Sequence, residues 1–247
     1  FLPYHIKVFI ASNYGYYLKY LRHSGKFYQY RDEAIERESW TKEKWDYWQE
    51  EKIAYILENT YKYVPYYREY WATRKKQGDN SSYTLIENWP VINKSIIQKK
   101  PEYFINTNYN KCQLIIENTS GSTGTPLKVY QSKDSLRYWY GLCEARWRNW
   151  YNLSLQQPWA YIAGRKIVPF ENQKPPFWVW NKALNQLYLS CYHLKEQNIQ
   201  YYIDALRKYK VVNIYGLASS IHQLAYHSEN LGICPPSITA VVTCAEK

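Results

Sequence analysis

Between Thr119 and Val129 the chain reads TSGSTGTPLKV, which crowds the hydroxyls of Thr119, Ser120, Ser122, Thr123 and Thr125 and the glycines Gly121 and Gly124 into one short stretch. Glycines let successive backbone N–H groups turn toward one point, and Ser/Thr hydroxyls add further donors. Such a loop suits the oxygens of a polyphosphate. Lys128 can supply the balancing positive charge. The stretch is not a Walker A loop, which has the form GxxxxGK followed by Ser or Thr and leads into a helix. Here the lysine falls four positions after Gly124 and a strand is expected to follow. The same composition also suits an ordinary polar hairpin turn.

Other residues with chemical capacity are more dispersed. Gly164 closes WAYIAG and Arg165 follows it, and His193 comes soon after QLYLS. Both segments read as buried strands, and α/β sheets place ligands just beyond strand ends. Arg165 can face a carboxylate there or be an exposed loop arginine. His193 can touch substrate or be a hydrogen-bonded packing residue. His222 and His227 lie five apart, off a common helical face, so no metal site is expected from them. No GxSxG elbow is present, which argues against a Ser-His-Asp hydrolase. The five cysteines, Cys112, Cys143, Cys191, Cys234 and Cys244, are widely spaced without a CxxC pair, as expected of reduced thiols in a cytoplasmic protein.

The elements that must position these residues change character along the chain. Residues 1–110 read as a mostly helical N-terminal region. Trp45, Trp48, Ile53, Ile56, Leu57 and Tyr61 recur at helical spacing between Thr41 and Val64, ahead of Pro65. A second helix is expected from Tyr66 to about Gln77, closed by Gly78, and a short third one is capped by Asn93 and limited by Pro101. Residues 111–247 alternate short β-branched runs with amphipathic stretches, the pattern of α/β layering. Strands are expected at 112–118, 127–131, 159–164, 186–190, 211–215 and 238–244. Asp134 is the expected cap of a helix facing inward through Leu136, Trp139, Tyr140, Cys143, Trp147 and Trp150. Ile199, Tyr202, Ile203 and Leu206 predict another helix, and Ile221, Leu224 and Ala225 one that ends near Gly232.

With 247 residues, 46% of them hydrophobic, there is ample material for a buried core. No apolar run is long enough for a transmembrane segment. A net charge of +11 invites a nucleic-acid or anionic-surface partner, but the basic residues are scattered. The densest cluster, Arg74-Lys75-Lys76, is expected to be a solvated helix end. No specific nucleic acid is expected as a partner.

In its order of residues, TSGSTGTPLKV closely resembles the phosphate-binding signature of the adenylate-forming (acyl-CoA synthetase-like) superfamily. KYVPYYREYW (62–71), WPVINKSIIQ (89–98), LYLSCYHLKEQNIQYYIDALRKYK (187–210), NIYGLASSIHQLA (213–225) and VVTCAEK (241–247) resemble its phenylacetate-CoA ligase branch, and within it CapK-type proteins linked to capsular polysaccharide biosynthesis. The resemblance implies the α/β N-terminal domain of an AMP-forming ligase. A carboxylic acid substrate would attack the α-phosphorus of ATP, with Mg²⁺, to give an acyl-adenylate and pyrophosphate. An acceptor such as coenzyme A, an amine or a sugar hydroxyl would then displace AMP.

Carried onto this chain, the resemblance assigns Thr119, Ser120, Gly121, Ser122, Thr123, Gly124 and Thr125 to the β- and γ-phosphates, with Thr123 the best placed for phosphate or metal. The family's commonest loop has its lysine directly after the proline. Leu127 stands there in this chain, and Lys128 comes one later. Ala245-Glu246 aligns with a short acidic segment lining the adenine and acyl side. The family continues with an aromatic-Gly-x-Thr-Glu segment, a ribose-binding Asp, a hinge and a lid domain with a catalytic Lys. None of these is found up to Lys247, and YGLASS (215–220) is not the first of them, so the sequence is expected to be an N-terminal part that does not complete turnover alone. The lack of any Met fits that expectation. The competing expectation is a non-catalytic relative that binds nucleotide or glycan.

Overall fold

The computed structural model describes residues 2–119 and 126–246. Residues 1–32 and 137–247 pack as one compact unit, and residues 33–136 as a second.

In the first unit a five-stranded sheet has the order β4-β5-β3-β6-β7. Its strands are β3 (Trp159–Ala163), β4 (Trp178–Asn181), β5 (Gln186–Ser190), β6 (Asn213–Leu217) and β7 (Ala240–Cys244). β3, β5, β6 and β7 run parallel, and β4 adds an antiparallel edge on β5. Side chains alternate between the two faces of a strand. Ala160 and Ile162 therefore share one face with Leu187, Leu189 and Ile214, while Trp159 and Tyr161 share the other with Gln186, Tyr188, Asn213 and Tyr215.

The aliphatic face is the core. It is covered by α7 (Ile199–Lys208) and α8 (Ala218–Asn230), whose Ile199, Tyr202, Ile203, Leu206 and Leu224 are buried against it. Each such large side chain contributes about 1.5–3 kcal/mol relative to exposure. Tyr202 keeps its polar end satisfied by donating to the Ser190 carbonyl at 2.6 Å. Gly232, at φ +62°, follows α8 and turns the chain toward β7.

α1 (Tyr4–His23) meets the sheet at β4 through small residues. Ser12 Oγ accepts from the Lys182 N–H at 3.1 Å. A Cβ built at Gly15 would lie 2.1 Å from Asn181 Oδ1, so only glycine permits this approach. Gly25 (φ +57°) separates α1 from α2 (Phe27–Glu36), whose Phe27 is fully buried.

In the second unit Thr41 caps α3 (Lys42–Tyr63) by accepting from the Lys44 N–H at 3.4 Å. Pro65 stops α3 and also opens α4 (Pro65–Lys76) as its first residue. Gly78, at φ +81°, ends α4. A short α5 (Lys94–Lys99) precedes Pro101, and a hairpin of β1 (Ile115–Asn118) and β2 (Lys128–Gln131) follows. After β2 comes α6 (Lys133–Trp147).

Several expectations change in detail. Asn93 stands at the head of α5, but its Oδ1 accepts from the Ser95 hydroxyl and makes no backbone cap. Ser132, not Asp134, caps α6, because helix starts at Lys133 and Ser132 Oγ accepts from the Ser135 N–H at 3.0 Å. Residues 111–113 form a 3-10 turn, so β1 is shorter than 112–118. The expected strand 211–215 is shifted to 213–217 and 238–244 is shortened to 240–244. β4 was not foreseen from WVWN.

Replacing Gly15 with Val tests the α1–β4 contact. Overpacking of this kind costs about 1–3 kcal/mol, so urea unfolding should show a lower midpoint, whereas Gly78→Ala, where a Cβ meets open space, should pay only the smaller strain of its positive φ.

Candidate functional site

In the sequence the phosphate-loop candidates fall between β1 and β2. Register pairs Asn118 with Lys128. Beyond that pair, the Thr119 N–H donates to the Leu127 carbonyl at 3.0 Å, and the Leu127 N–H donates to Thr119 Oγ1, also at 3.0 Å. Thr119 thus uses backbone and side chain together to clamp the base of the loop. Lys128 is exposed. Ser120, Gly121, Ser122, Thr123, Gly124 and Thr125 lie outside the described residues.

A separate cleft belongs wholly to the first unit. It lies over the polar-aromatic face of the sheet and encloses about 260 Å³. Trp159, Tyr161, Gln186, Tyr188 and Tyr215 form its floor, Trp139, Tyr140, Cys143, Glu144, Trp147 and Arg148 project from and just beyond α6, and Arg22 and His23 come from the end of α1. Trp147 stacks on Tyr215 with ring centroids 4.5 Å apart, and Tyr161 lies 5.5 Å from Tyr215. Aromatic walls of this kind suit a planar ring or the apolar face of a sugar.

Charge in the cleft is one-sided. Arg22, Arg148 and Arg165 line it, against one acid, Glu144. Glu144 and Arg148 form a buried pair at 2.7 Å, one turn apart at the end of α6. The Arg148 guanidinium also lies over the Trp159 ring at 4.8 Å, and Arg165 over Tyr188 at 5.0 Å. Two buried polar atoms of the residues that line the cleft have no hydrogen-bond partner among the described residues: Arg148 Nε and Gln186 Oε1. A buried polar group without a partner costs about 1–3 kcal/mol, and here one orphan donor and one orphan acceptor line the same cavity. Those atoms fit a ligand that carries both an acceptor and a donor, such as a hydroxylated or carboxylated ring.

Three titratable groups of the cleft, His23, Cys143 and Tyr215, are held uncharged. Burial, with Arg148, Arg22 and Lys19 behind it, pushes His23 down to about 3. Burial pushes the Cys143 thiol up to about 12 and raises Tyr215, with Cys244 adding to the latter. At neutral pH these are packing and hydrogen-bonding groups, not proton carriers.

The other sequence candidates gather at the carboxyl ends of the parallel strands. Gly164 and Arg165 follow β3, His193 follows β5, and Ala245 and Glu246 follow β7. The Gly164 carbonyl accepts from the Tyr192 hydroxyl at 2.9 Å, and Arg165 reaches the cleft. His193 is buried, with Nδ1 2.8 Å from Ser190 Oγ and Nε2 3.1 Å from the Pro169 carbonyl. Both ring nitrogens are engaged, and the ring stacks on Phe177. Ala245 adopts φ +64°, a conformation uncommon outside glycine. Glu246 accepts from the hydroxyl and the backbone N–H of Ser219, each at 2.6 Å, at the start of α8. Those two bonds, the hydroxyl first, hold its carboxyl below the usual range.

His222 stacks on Tyr226. Among the described residues no group of three His, Cys, Asp or Glu side chains could hold a metal ion. Sequence reasoning did not single out Glu144, Arg148 or Gln186. The one available signal, and only for Gln186, was a polar residue opening two of the strands, Gln186 before LYLS and Asn213 before IYGL.

Compared with known proteins, the chain is similar to Protein CapK of Staphylococcus aureus, with 30% identity over 176 residues. That alignment covers 71% of this chain and 38% of CapK, so the match spans well under half of the relative's length. The similarity supports a relation to CapK. No family model matches the chain, and no solved structure matches it.

His23 generates a test. Its folded pKa lies below its unfolded value, so the unfolded chain takes up the proton first. The stability it confers is complete above about pH 6.5 and falls on acidification toward pH 3, by about 1.4 kcal/mol per pH unit. Urea unfolding between about pH 6.5 and 5.5, above the range of ordinary carboxylates, should show a slope approaching that value, and His23→Gln should flatten it.

Proposed function

We propose that this chain carries part of an ATP-dependent, AMP-forming ligase that activates a carboxylate, serving capsule-related or other cell-surface polysaccharide assembly. The observation that carries this reading is the order of residues 119–129, in which two glycines and five hydroxyls bridge the hairpin that Thr119 clamps. The similarity to CapK, together with the sequence resemblance to adenylate-forming enzymes, supports the same reading.

In this proposal residues 120–125 grip the β- and γ-phosphates of ATP with backbone N–H groups and hydroxyls, Thr119 holds the base of the loop and keeps only its hydroxyl hydrogen to donate, and Lys128 adds a cation. A carboxylate oxygen of the substrate attacks the α-phosphorus, the bond to the bridging oxygen breaks, and pyrophosphate leaves with its negative charge. Mg²⁺ supplies charge neutralisation on the phosphates. The chemistry asks little of a general base, because the carboxylate is already ionised at neutral pH. Positioning and electrostatic stabilisation account for the rate. In its own unit, the cleft between α6 and the sheet holds the body of an acid by its aromatic walls, and Arg165, exposed beyond β3, offers a guanidinium to a carboxylate.

A second reading is favoured by the cleft itself: a binding protein for a hydroxylated ring, without turnover. Aromatic walls, an orphan acceptor on Gln186 and an orphan donor on Arg148 satisfy the needs of a sugar as well as those of an acid.

Carboxylate-dependent exchange of pyrophosphate into ATP, measured on the full protein over a panel of carboxylic acids, separates the two. The ligase reading expects exchange with at least one acid. Ser122→Ala with Thr123→Ala should lower it by at least about 100-fold while leaving the melting temperature nearly unchanged. Exchange that persists in the double variant removes the loop assignment. Absence of exchange with every acid, alongside saturable quenching of tryptophan fluorescence by a neutral monosaccharide, favours the binding protein.

A further inference from the structure

The outward face of α1 reverses the usual arrangement of a surface helix. Its buried positions include Ser12 and Gly15, with Leu18 and Leu21 toward the end. Its large apolar residues point to solvent: Phe9, Ile10, Tyr14, Tyr16, Tyr17 and Tyr20 are each more than half exposed. An amphipathic surface helix normally turns such residues inward. Here the close contact at Gly15 and Ser12 needs small side chains, and the bulky ones are left along a helix about 30 Å long.

Charge along the same segment is also one-sided. Residues 1–31 contain Lys7, Lys19, Arg22, Lys26 and Arg31 and no Asp or Glu at all. The aromatic-rich α3 offers the contrast, because its exposed Tyr47, Tyr55 and Ile56 are interspersed with Glu43, Asp46, Glu50 and Glu51 as well as lysines. At the start of α1, Lys7 and Lys166 border a shallow groove floored by Leu2, Ile10 and Val179. Scattered basic residues alone gave no such patch in the sequence. The missing acids define it.

We infer that the outer face of α1 is a docking surface for an anionic lipid bilayer, on which the helix lies in the plane of the headgroups. Tyrosine and phenylalanine partition at that depth, where a ring is half-buried and a hydroxyl stays wet. Lysines flanking the aromatic face meet the negative surface potential. The helix lies on the bilayer and does not enter it, consistent with the finding that no described helix is long and apolar enough to cross a membrane. This surface is independent of the ligase reading.

Co-sedimentation of the full protein with vesicles tests the inference, comparing pure phosphatidylcholine with phosphatidylcholine containing about 30% phosphatidylglycerol. Binding is expected to the anionic vesicles, at least about tenfold tighter than to the neutral ones, and weakened by added salt. Lys7→Glu with Lys19→Glu should weaken it at least about tenfold. Phe9→Ser with Tyr16→Ser and Tyr20→Ser should do the same, with circular dichroism showing an unchanged fold. Lys75→Glu with Lys76→Glu, an equal change of charge at the end of α4, should leave binding within about twofold if the α1 face is responsible. The inference is overturned if anionic vesicles are not bound, if the α4 variant weakens binding as much as the α1 variant, or if the aromatic variant has no effect. It is equally overturned if sedimentation velocity finds a dimer without vesicles that the aromatic variant dissociates.

Discussion

Strict alternation across β3, β5 and β6 is the constraint from which the first unit follows. A pleated strand buried on both sides must send successive residues to opposite layers. In register, this separates Ala160, Ile162, Leu187, Leu189 and Ile214 from Trp159, Tyr161, Gln186, Tyr188, Asn213 and Tyr215. The aliphatic layer excludes water against α7 and α8 and supplies the core. The other layer has aromatic rings with polar ends and cannot be filled the same way, so a cavity remains between it and α6. Core and cleft are two consequences of a single register.

The electrostatics of the cleft follow from that placement. A buried cation needs compensation, and Glu144 provides it for Arg148 through the neighbouring turn. The remaining donor on Arg148 and the acceptor on Gln186 stay unpaired. Burial holds His23, Cys143 and Tyr215 in their neutral forms. The result is a cleft with fixed hydrogen-bonding geometry and little proton chemistry. The polar residues beyond the strand ends are organised differently. His193 and Glu246 spend their polar atoms on Ser190, Pro169 and Ser219.

Charge distribution shows how a composition can mislead. The net charge of +11 spread along the chain describes no surface. Folding α1 onto β4 through Ser12 and Gly15 brings an acid-free, aromatic segment into the open as one continuous helix face. Neither the sum of charges nor the density of lysines shows that.

Much of the local order was legible because it is written in near neighbours. The spacing of Ile199, Tyr202, Ile203 and Leu206 sets which side of α7 is buried, and Gly78 and Gly232 mark helix ends through their backbone freedom. The Thr119 clamp was not legible, because the sequence resemblance assigns Thr119 to phosphate while its backbone and hydroxyl meet Leu127. What the residues could not disclose one by one depends on partners far apart in the chain. The backbone N–H of Lys182 finds Ser12 across 170 positions. WVWN becomes a strand only because β5 offers it an open edge. Arg148 and Gln186 face one cavity only because α6 lies over the sheet. Local geometry is decided within a turn or a strand of sequence, and the sequence by itself determined it here. Which faces meet is decided by burial and steric fit between distant segments, and only the folded chain could select those.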